Sequence, residues 1–227
     1  MTFNQLKIAI YATYLTNIYG YKLKKVSTAK EKKRLRTEYS QKLLSKLNVE
    51  IKVINEQNIP KDGKYLLISN HRTIIDPTII EVATKNSDIF GHWIAKKELY
   101  NSFFFGMFVR SAGTVLLDRE SSQMSGFFKD IRRVVKAGDS IYIFPEGTRN
   151  QSEKPLTEFK GGAEKIAKLN KIDILPTYIK NRADNILYDA IKDSSTHRVI
   201  EIEFGELISY KDNIDSIEDL YKQRFKI

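Results

Sequence analysis

The sequence predicts an α/β fold: a single domain with a mostly parallel mixed sheet flanked by helices, carrying an N-terminal helical hairpin arm. Three observations lead there. From Val49 onward, short apolar segments of strand length alternate with stretches of helical periodicity, the order expected of a parallel sheet with crossover helices. The first fifty residues, by contrast, show helical spacing only. The two turns richest in polar chemistry each follow an apolar strand, where ligands gather in sheets of this kind.

The turn-like stretch around Asn48 divides the chain into an arm, residues 1–48, and an α/β body, residues 49–227. The arm's first helix, Phe3 to Tyr19, is apolar on most sides and rich in tyrosine (Tyr11, Tyr14, Tyr19). Tyrosine suits a lipid headgroup boundary, because its ring is apolar and its tip is polar. The second helix opens on Thr28-Ala-Lys-Glu31, which fits a capping box. Its apolar residues Leu35, Tyr39, Leu43 and Leu47 recur at i+4, leaving the basic residues to the other face. An apolar helix followed by a basic amphipathic one makes an interfacial anchor; the plainer alternative is a hairpin packed on the core. In the body, strands are expected at Val49–Ile54, Tyr65–Ser69, Ile89–Ala95, Thr114–Leu117, Ser140–Phe144, Ile174–Ile179 and Val199–Phe204. Helices are expected at Pro77–Thr84, Gln123–Ala137 and Gly162–Leu169.

Composition narrows the function. At 227 residues, 41% of them hydrophobic, the chain supports one sizeable core rather than two catalytic domains. It has no cysteine, which removes disulfides, thiolate metal sites and a cysteine nucleophile together. Its three histidines, His71, His92 and His197, include no i, i+4 pair of the kind a helical metal site needs, so no metal is expected. The formal charge of +10 is concentrated: Lys22 to Lys46 holds ten basic residues against Glu31 and Glu38. Such asymmetry points to an anionic surface, lipid or nucleic acid, although a solvated helix face also gives a charge run. The longest uncharged run, Ile8 to Tyr21, has fourteen residues, short of the roughly 20 that span a bilayer. No small-residue cleavage site follows it. The expected location is the cytoplasmic side, free or peripheral to a membrane.

Two constellations carry chemistry. Ser69-Asn70-His71-Arg72-Thr73-Ile74-Ile75-Asp76-Pro77 lies between an apolar strand and a helix. Asp76 before Pro77 reads as an N-cap with proline at the first helical position. If the loop curls back, the same carboxylate can reach the His71 imidazole, fix its tautomer and stabilise its protonated form. The plainer reading is that Asp76 only caps the helix. The second constellation, Phe144-Pro145-Glu146-Gly147-Thr148-Arg149-Asn150, is a tight turn after a strand, with an arginine suited to bidentate phosphate binding. Lys160 precedes the Gly161-Gly162 helix start, an anion site by type. Arg119 ends the segment Gly113 to Arg119 at another strand end. There is no G-x-S-x-G elbow, no phosphate loop and no dinucleotide fingerprint. One histidine, one carboxylate and a phosphate cradle suit direct attack by a substrate hydroxyl on an activated acyl group.

In combination these residues resemble the glycerolipid acyltransferases, specifically the lysophosphatidate acyltransferase family. Asn70-His71 through Asp76 is similar to that family's N-H-x4-D motif, and Phe144 through Arg149 to its F-P-E-G-T-R block. Gly113 through Arg119, Lys96-Lys97-Glu98-Leu99 and Leu175-Pro176 match further blocks, so the likeness runs from about Tyr65 to Leu207. The resemblance implies that His71 is the general base and that Asp76 orients it. Glu146, Gly147, Thr148 and Arg149, with Arg119 and Lys97, would hold the acceptor's phosphate and glycerol end, and Lys160 is a further candidate. The donor would be acyl-CoA or an acyl carrier protein, with no other cofactor. The acceptor would be the lysophospholipid 1-acyl-glycerol-3-phosphate, at an anionic membrane surface on the cytoplasmic face. Two alternatives stand beside it: the same chemistry on another lysolipid, such as a lyso-ornithine lipid, or a non-catalytic nucleic-acid-binding module. Against the latter, aromatics other than Tyr39 do not interleave with the basic stretch. The cluster Phe103, Phe104, Phe105, Met107 and Phe108 reads either as core packing or as a surface for lipid or acyl chain, since three consecutive aromatics cannot share one helix face.

Overall fold

The computed structural model describes residues 2–118, 124–212 and 216–227. Its centre is a seven-stranded sheet in the order β1-β7-β6-β2-β5-β3-β4. The strands are β1 Val49–Ile54, β2 Leu66–Ser69, β3 Gly91–Lys96, β4 Val115–Leu117, β5 Ser140–Ile143, β6 Ile174–Ile179 and β7 Arg198–Phe204. Every neighbouring pair is parallel except β6 with β7, so the sheet is the mostly parallel, mixed one that the alternation predicts.

The helices among the described residues are α1 Phe3–Lys24, α2 Ala29–Lys46, α3 Asp76–Ala83, α4 Lys97–Tyr100, α5 Gly106–Ser111, α6 Ser125–Lys136, α7 Gly162–Asn170, α8 Ala183–Lys192 and α9 Ile217–Phe225. They cover both faces of the sheet. On β2, Leu67 faces the core shared with α1, α2, α3 and α8, while Leu66 and Ile68 face the one shared with α6, α7 and α9. That period of two explains why β2 reads as a continuous apolar run: both faces are buried.

The hairpin is part of the first core. Ile8, Leu15, Tyr19 and Leu23 of α1 are buried with Leu35, Tyr39, Leu43 and Leu44 of α2 and with the body's Ile79, Ile80 and Leu67. The first helix runs five residues beyond Tyr19, because Gly20 does not end it. A Cβ there would lie 3.0 Å from the backbone nitrogen of Phe108, so glycine lets α5 close on α1. At Thr28 only half of the capping box forms. The hydroxyl accepts from the Glu31 N–H at 3.2 Å and donates to the Glu31 carboxylate. A complete box stands instead at Thr2 and Gln5.

The basic residues of α2 do not all face water. Arg36, 3% exposed, lies inside the hairpin–body interface. It donates to the carbonyls of Gly91 at 2.7 Å and Ala112 at 3.2 Å and pairs with the buried Glu81 carboxylate. Lys33 donates to the carbonyls of Thr84 and Ile89, and burial pulls its ammonium below the usual lysine range. Two of the ten cations therefore fasten the arm to the body.

Candidate active site

Parallel neighbours β2, β5, β3 and β4 all discharge their carboxyl ends at one edge of the sheet. Their sequels are the His71 loop, the Phe144–Asn150 turn, Lys97 and Asp118. The topology thereby brings together motifs spread over some eighty residues of sequence.

The His71 loop does curl back. His71 Nδ1 lies 2.8 Å from Asp76 Oδ2. Asp76 is fully buried, and the same oxygen accepts from the backbone N–H groups of Arg72 at 2.6 Å and Thr73 at 2.8 Å. Oδ1 accepts from the Thr73 hydroxyl at 2.6 Å. Asp76 is therefore not the N-cap: Ile75 holds that position, without a side-chain bond, and the carboxylate turns upstream into the loop. Four donors converge on a group that only accepts, so the imidazole presents Nδ1–H to it and keeps the Nε2 lone pair. The His71 side chain is 19% exposed, open to a reactant on one side. Its ring stacks on Phe144, centroids 4.1 Å apart and planes 10° from parallel.

Asn70 sits behind the histidine. Its amide exchanges bonds with the backbone of Ile179, and its own N–H is received by the Tyr221 hydroxyl. That hydroxyl donates to the Thr177 carbonyl, and burial pushes its pKa well above the ordinary phenol value. Tyr221 comes from α9, a helix the sequence reading leaves out, although the Ser216 cap was there to be seen.

Glu146, read as part of the phosphate cradle, has another occupation. Oε1 accepts the His71 N–H at 2.7 Å, and Oε2 accepts both the N–H, at 2.8 Å, and the hydroxyl of Thr157. The Asn150 N–H donates to the His71 carbonyl at 2.7 Å, and Arg72 reaches the carbonyls of Ser152 and Lys154. The two motifs are thus stitched to each other through buried side chains. Gly147 takes φ +70°, a backbone region that L side chains rarely adopt, which lets the turn close. Thr148 and Arg149 are exposed at its tip.

The remaining candidates differ in how they are held. Lys97 pairs with Asp118 at 2.8 Å across the ends of β3 and β4. The Lys160 N–H donates to the Pro145 carbonyl, and its exposed ammonium lies 3.5 Å from Glu158. Arg119 lies outside the described residues. A second histidine–carboxylate pair, His92 with Asp139 at 3.0 Å, sits at the opposite, amino-terminal edge of the strands. Burial holds the His92 imidazole below its usual value, and its ring packs beside Gly113 and Phe90. No cluster of three or more metal-ligating side chains occurs among the described residues.

A His–Asp pair with a fully buried carboxylate, braced against an arginine-bearing turn, thus lies at the carboxyl edge of an α/β sheet. The chain belongs to the acyltransferase family, whose model matches residues 50–180. It is 35% identical to the 1-acyl-sn-glycerol-3-phosphate acyltransferase of Streptococcus pneumoniae, over 59% of this chain and 48% of that protein. It is 31% identical to the enzyme of that name from Bacillus subtilis, over 60% and 65%. For the one from Borreliella burgdorferi the identity is 30% over 74% and 68%. The alignments thus span between about half and two thirds of these relatives' own lengths. In fold, the chain matches the crystal structure of the 1-acyl-sn-glycerophosphate (LPA) acyltransferase PlsC from Thermotoga maritima. The TM-score is 0.70 at 21% identity, over 98% of this chain and 89% of that one.

Proposed function

We propose that the chain transfers a fatty acyl group from acyl-CoA or an acyl carrier protein to the free hydroxyl of 1-acyl-glycerol-3-phosphate, giving phosphatidic acid. The observation that carries this reading is the Nδ1 bond from His71 to a carboxylate already saturated with donors, which leaves Nε2 as the base. Nε2 takes the acceptor's hydroxyl proton as that oxygen attacks the thioester carbonyl. The C–O ester bond forms, the C–S bond breaks, and the proton passes from the imidazolium to the departing thiolate. Asp76 stabilises the imidazolium between the two transfers. No protein nucleophile is required.

Arg149, exposed at the tip of the turn, meets the acceptor's phosphate, with Arg119 and Lys97 as further cations and Lys160 more remote. Thr148 and the Gly147 backbone line the same turn. Glu146 supports the site by holding the histidine loop, since its oxygens are already bonded. Arg149→Lys is expected to raise the KM for phosphate-bearing acceptors about tenfold with kcat little changed, because lysine does not reproduce a bidentate contact. An unchanged KM removes Arg149 from the site. Equal turnover of a lyso-ornithine lipid and 1-acyl-glycerol-3-phosphate in competition would shift the acceptor to the phosphate-free class.

The arm supplies the membrane contact in this reading. On α1 the exposed Phe3, Leu6, Ile10, Tyr14 and Tyr21 recur at helical spacing, opposite the stripe that packs on the body. The helix is therefore apolar on two sides, one of them without a protein partner. Phe103, 91% exposed, and Phe104 stand on the turn before α5, which packs beside α1. Lys7 and Lys25 lie over the rings of Phe3 and Tyr21, an arrangement suited to anionic headgroups. No helix among the described residues is long and apolar enough to cross a bilayer. Co-sedimentation with phosphatidylglycerol vesicles is expected, and Ile10→Asp with Tyr14→Asp should weaken it by about tenfold or more, since each buried side chain contributes roughly 1.5–3 kcal/mol. A gel shift with DNA and no vesicle binding would contradict this part.

A further inference from the structure

The hydrogen bond from His71 Nδ1 to Asp76 fixes where that edge of the ring lies, yet the ring can still swing about that bond. The face needs its own support. Phe144 supplies the contact, and Trp93 stacks on Phe144 in turn, centroids 5.0 Å apart and planes 23° from parallel. Trp93 is itself pinned. Its indole N–H donates to Glu81 Oε1 at 2.8 Å, and the Tyr142 ring meets it edge-on at 5.2 Å. Tyr142 is the register partner of Trp93 across the strands, and its ring fits over Gly91, where a Cβ would fall 2.2 Å from it. Glu81 is held by Arg36 from the arm.

Asp76 and Glu81 are residues of one short helix, α3. Asp76 fixes the edge of the imidazole, and Glu81 fixes the tryptophan that backs its face. We propose that Trp93 is a positioning residue for the reaction, acting on the His71 imidazole through Phe144, with Glu81 as its anchor. The proposal rests on the reading of His71 as the general base. Trp93 and Glu81 are buried and lie behind Phe144 as seen from the imidazole, so their loss acts on the chemical step rather than on binding.

The test combines kinetics with a direct view of the ring. Trp93→Leu is expected to lower kcat by roughly 10–100-fold, the scale of a small misplacement of a reacting group, with KM for both substrates nearly unchanged. Trp93→Phe, which keeps an aromatic shelf, should restore most of the loss. In ¹⁵N-histidine NMR without substrate, the wild type should show His71 as one tautomer with the proton on Nδ1, and Trp93→Leu a mixture of tautomers. Should Trp93→Leu fail to fold, Phe144→Leu reads the same shelf one ring nearer. A kcat loss that only follows the folded fraction, a Trp93→Phe variant as impaired as Trp93→Leu, or an unchanged tautomer would overturn the proposal. The spectrum needs no turnover. If the wild type acylates no lysolipid, the proposed function falls while the ring's response still decides the shelf.

Discussion

His71→Ala lowers the turnover number by roughly 10²–10⁴, the usual contribution of a positioned general base, while KM for the acceptor changes little. The expectation follows from the geometry. His71 is the imidazole that meets a buried carboxylate at the carboxyl ends of β2, β5, β3 and β4. His92 lies at their amino ends, and His197, just before β7, pairs with the exposed Glu50. The His71 backbone, held by Glu146 and Asn150, keeps the loop in place when the ring is removed. Initial rates across acceptor concentrations, with circular dichroism as the folding control, make the check. A variant within a factor of about two of wild-type kcat would exclude general-base catalysis by this residue.

The second large effect is on stability. Glu81→Ala leaves the Arg36 guanidinium inside the hairpin–body interface with two carbonyls and no counter-charge. Breaking a buried pair on one side costs about 3–5 kcal/mol, and at this chain length each kcal/mol moves Tm by about 2–4 °C. A drop in Tm on the order of 10 °C is therefore expected by calorimetry. Arg36→Met together with Glu81→Leu should recover part of it. Two apolar side chains of similar volume leave no buried charge, while the Gly91 and Ala112 carbonyls and the Trp93 N–H lose the partners they have in the wild-type interface. Equal Tm for Glu81→Ala and wild type would show that the pair is not what fastens the arm.

Much of the fold could be read in advance for physical reasons particular to each element. Strand β6 falls where its apolar segment places it, at Ile174–Ile179, because a strand buried on both faces admits few polar residues. Strand β1, at Val49–Ile54, is marked instead by alternation, with Glu50 and Lys52 exposed. The alternation in β7 likewise marks a strand with one covered face. Helices α4 and α5 were not visible, since four and six residues give too little periodicity. Helices α8 and α9 have the length, and were missed beyond the motif-bearing region.

At the site, the His71–Asp76 spacing allowed either a cap or a return contact, and only the loop's path decides for the return. The Glu146 partners lie 75 and 11 residues away, distances over which one sequence carries no pairing signal. Arg36 is the instructive miss. In a run of ten cations nothing local distinguishes the one that turns inward, and the buried Glu81 that receives it is 45 residues off.

The central claim is that a hydroxyl of a phosphate-bearing lysolipid is acylated here. The most direct measurement supplies the wild-type protein with 1-acyl-glycerol-3-phosphate in anionic vesicles, together with acyl-CoA in one reaction and acyl carrier protein thioester in another. Phosphatidic acid should accumulate with at least one donor, with free thiol released in equal amount. Thiol release without phosphatidic acid, or no reaction with either donor from folded protein, would contradict the claim.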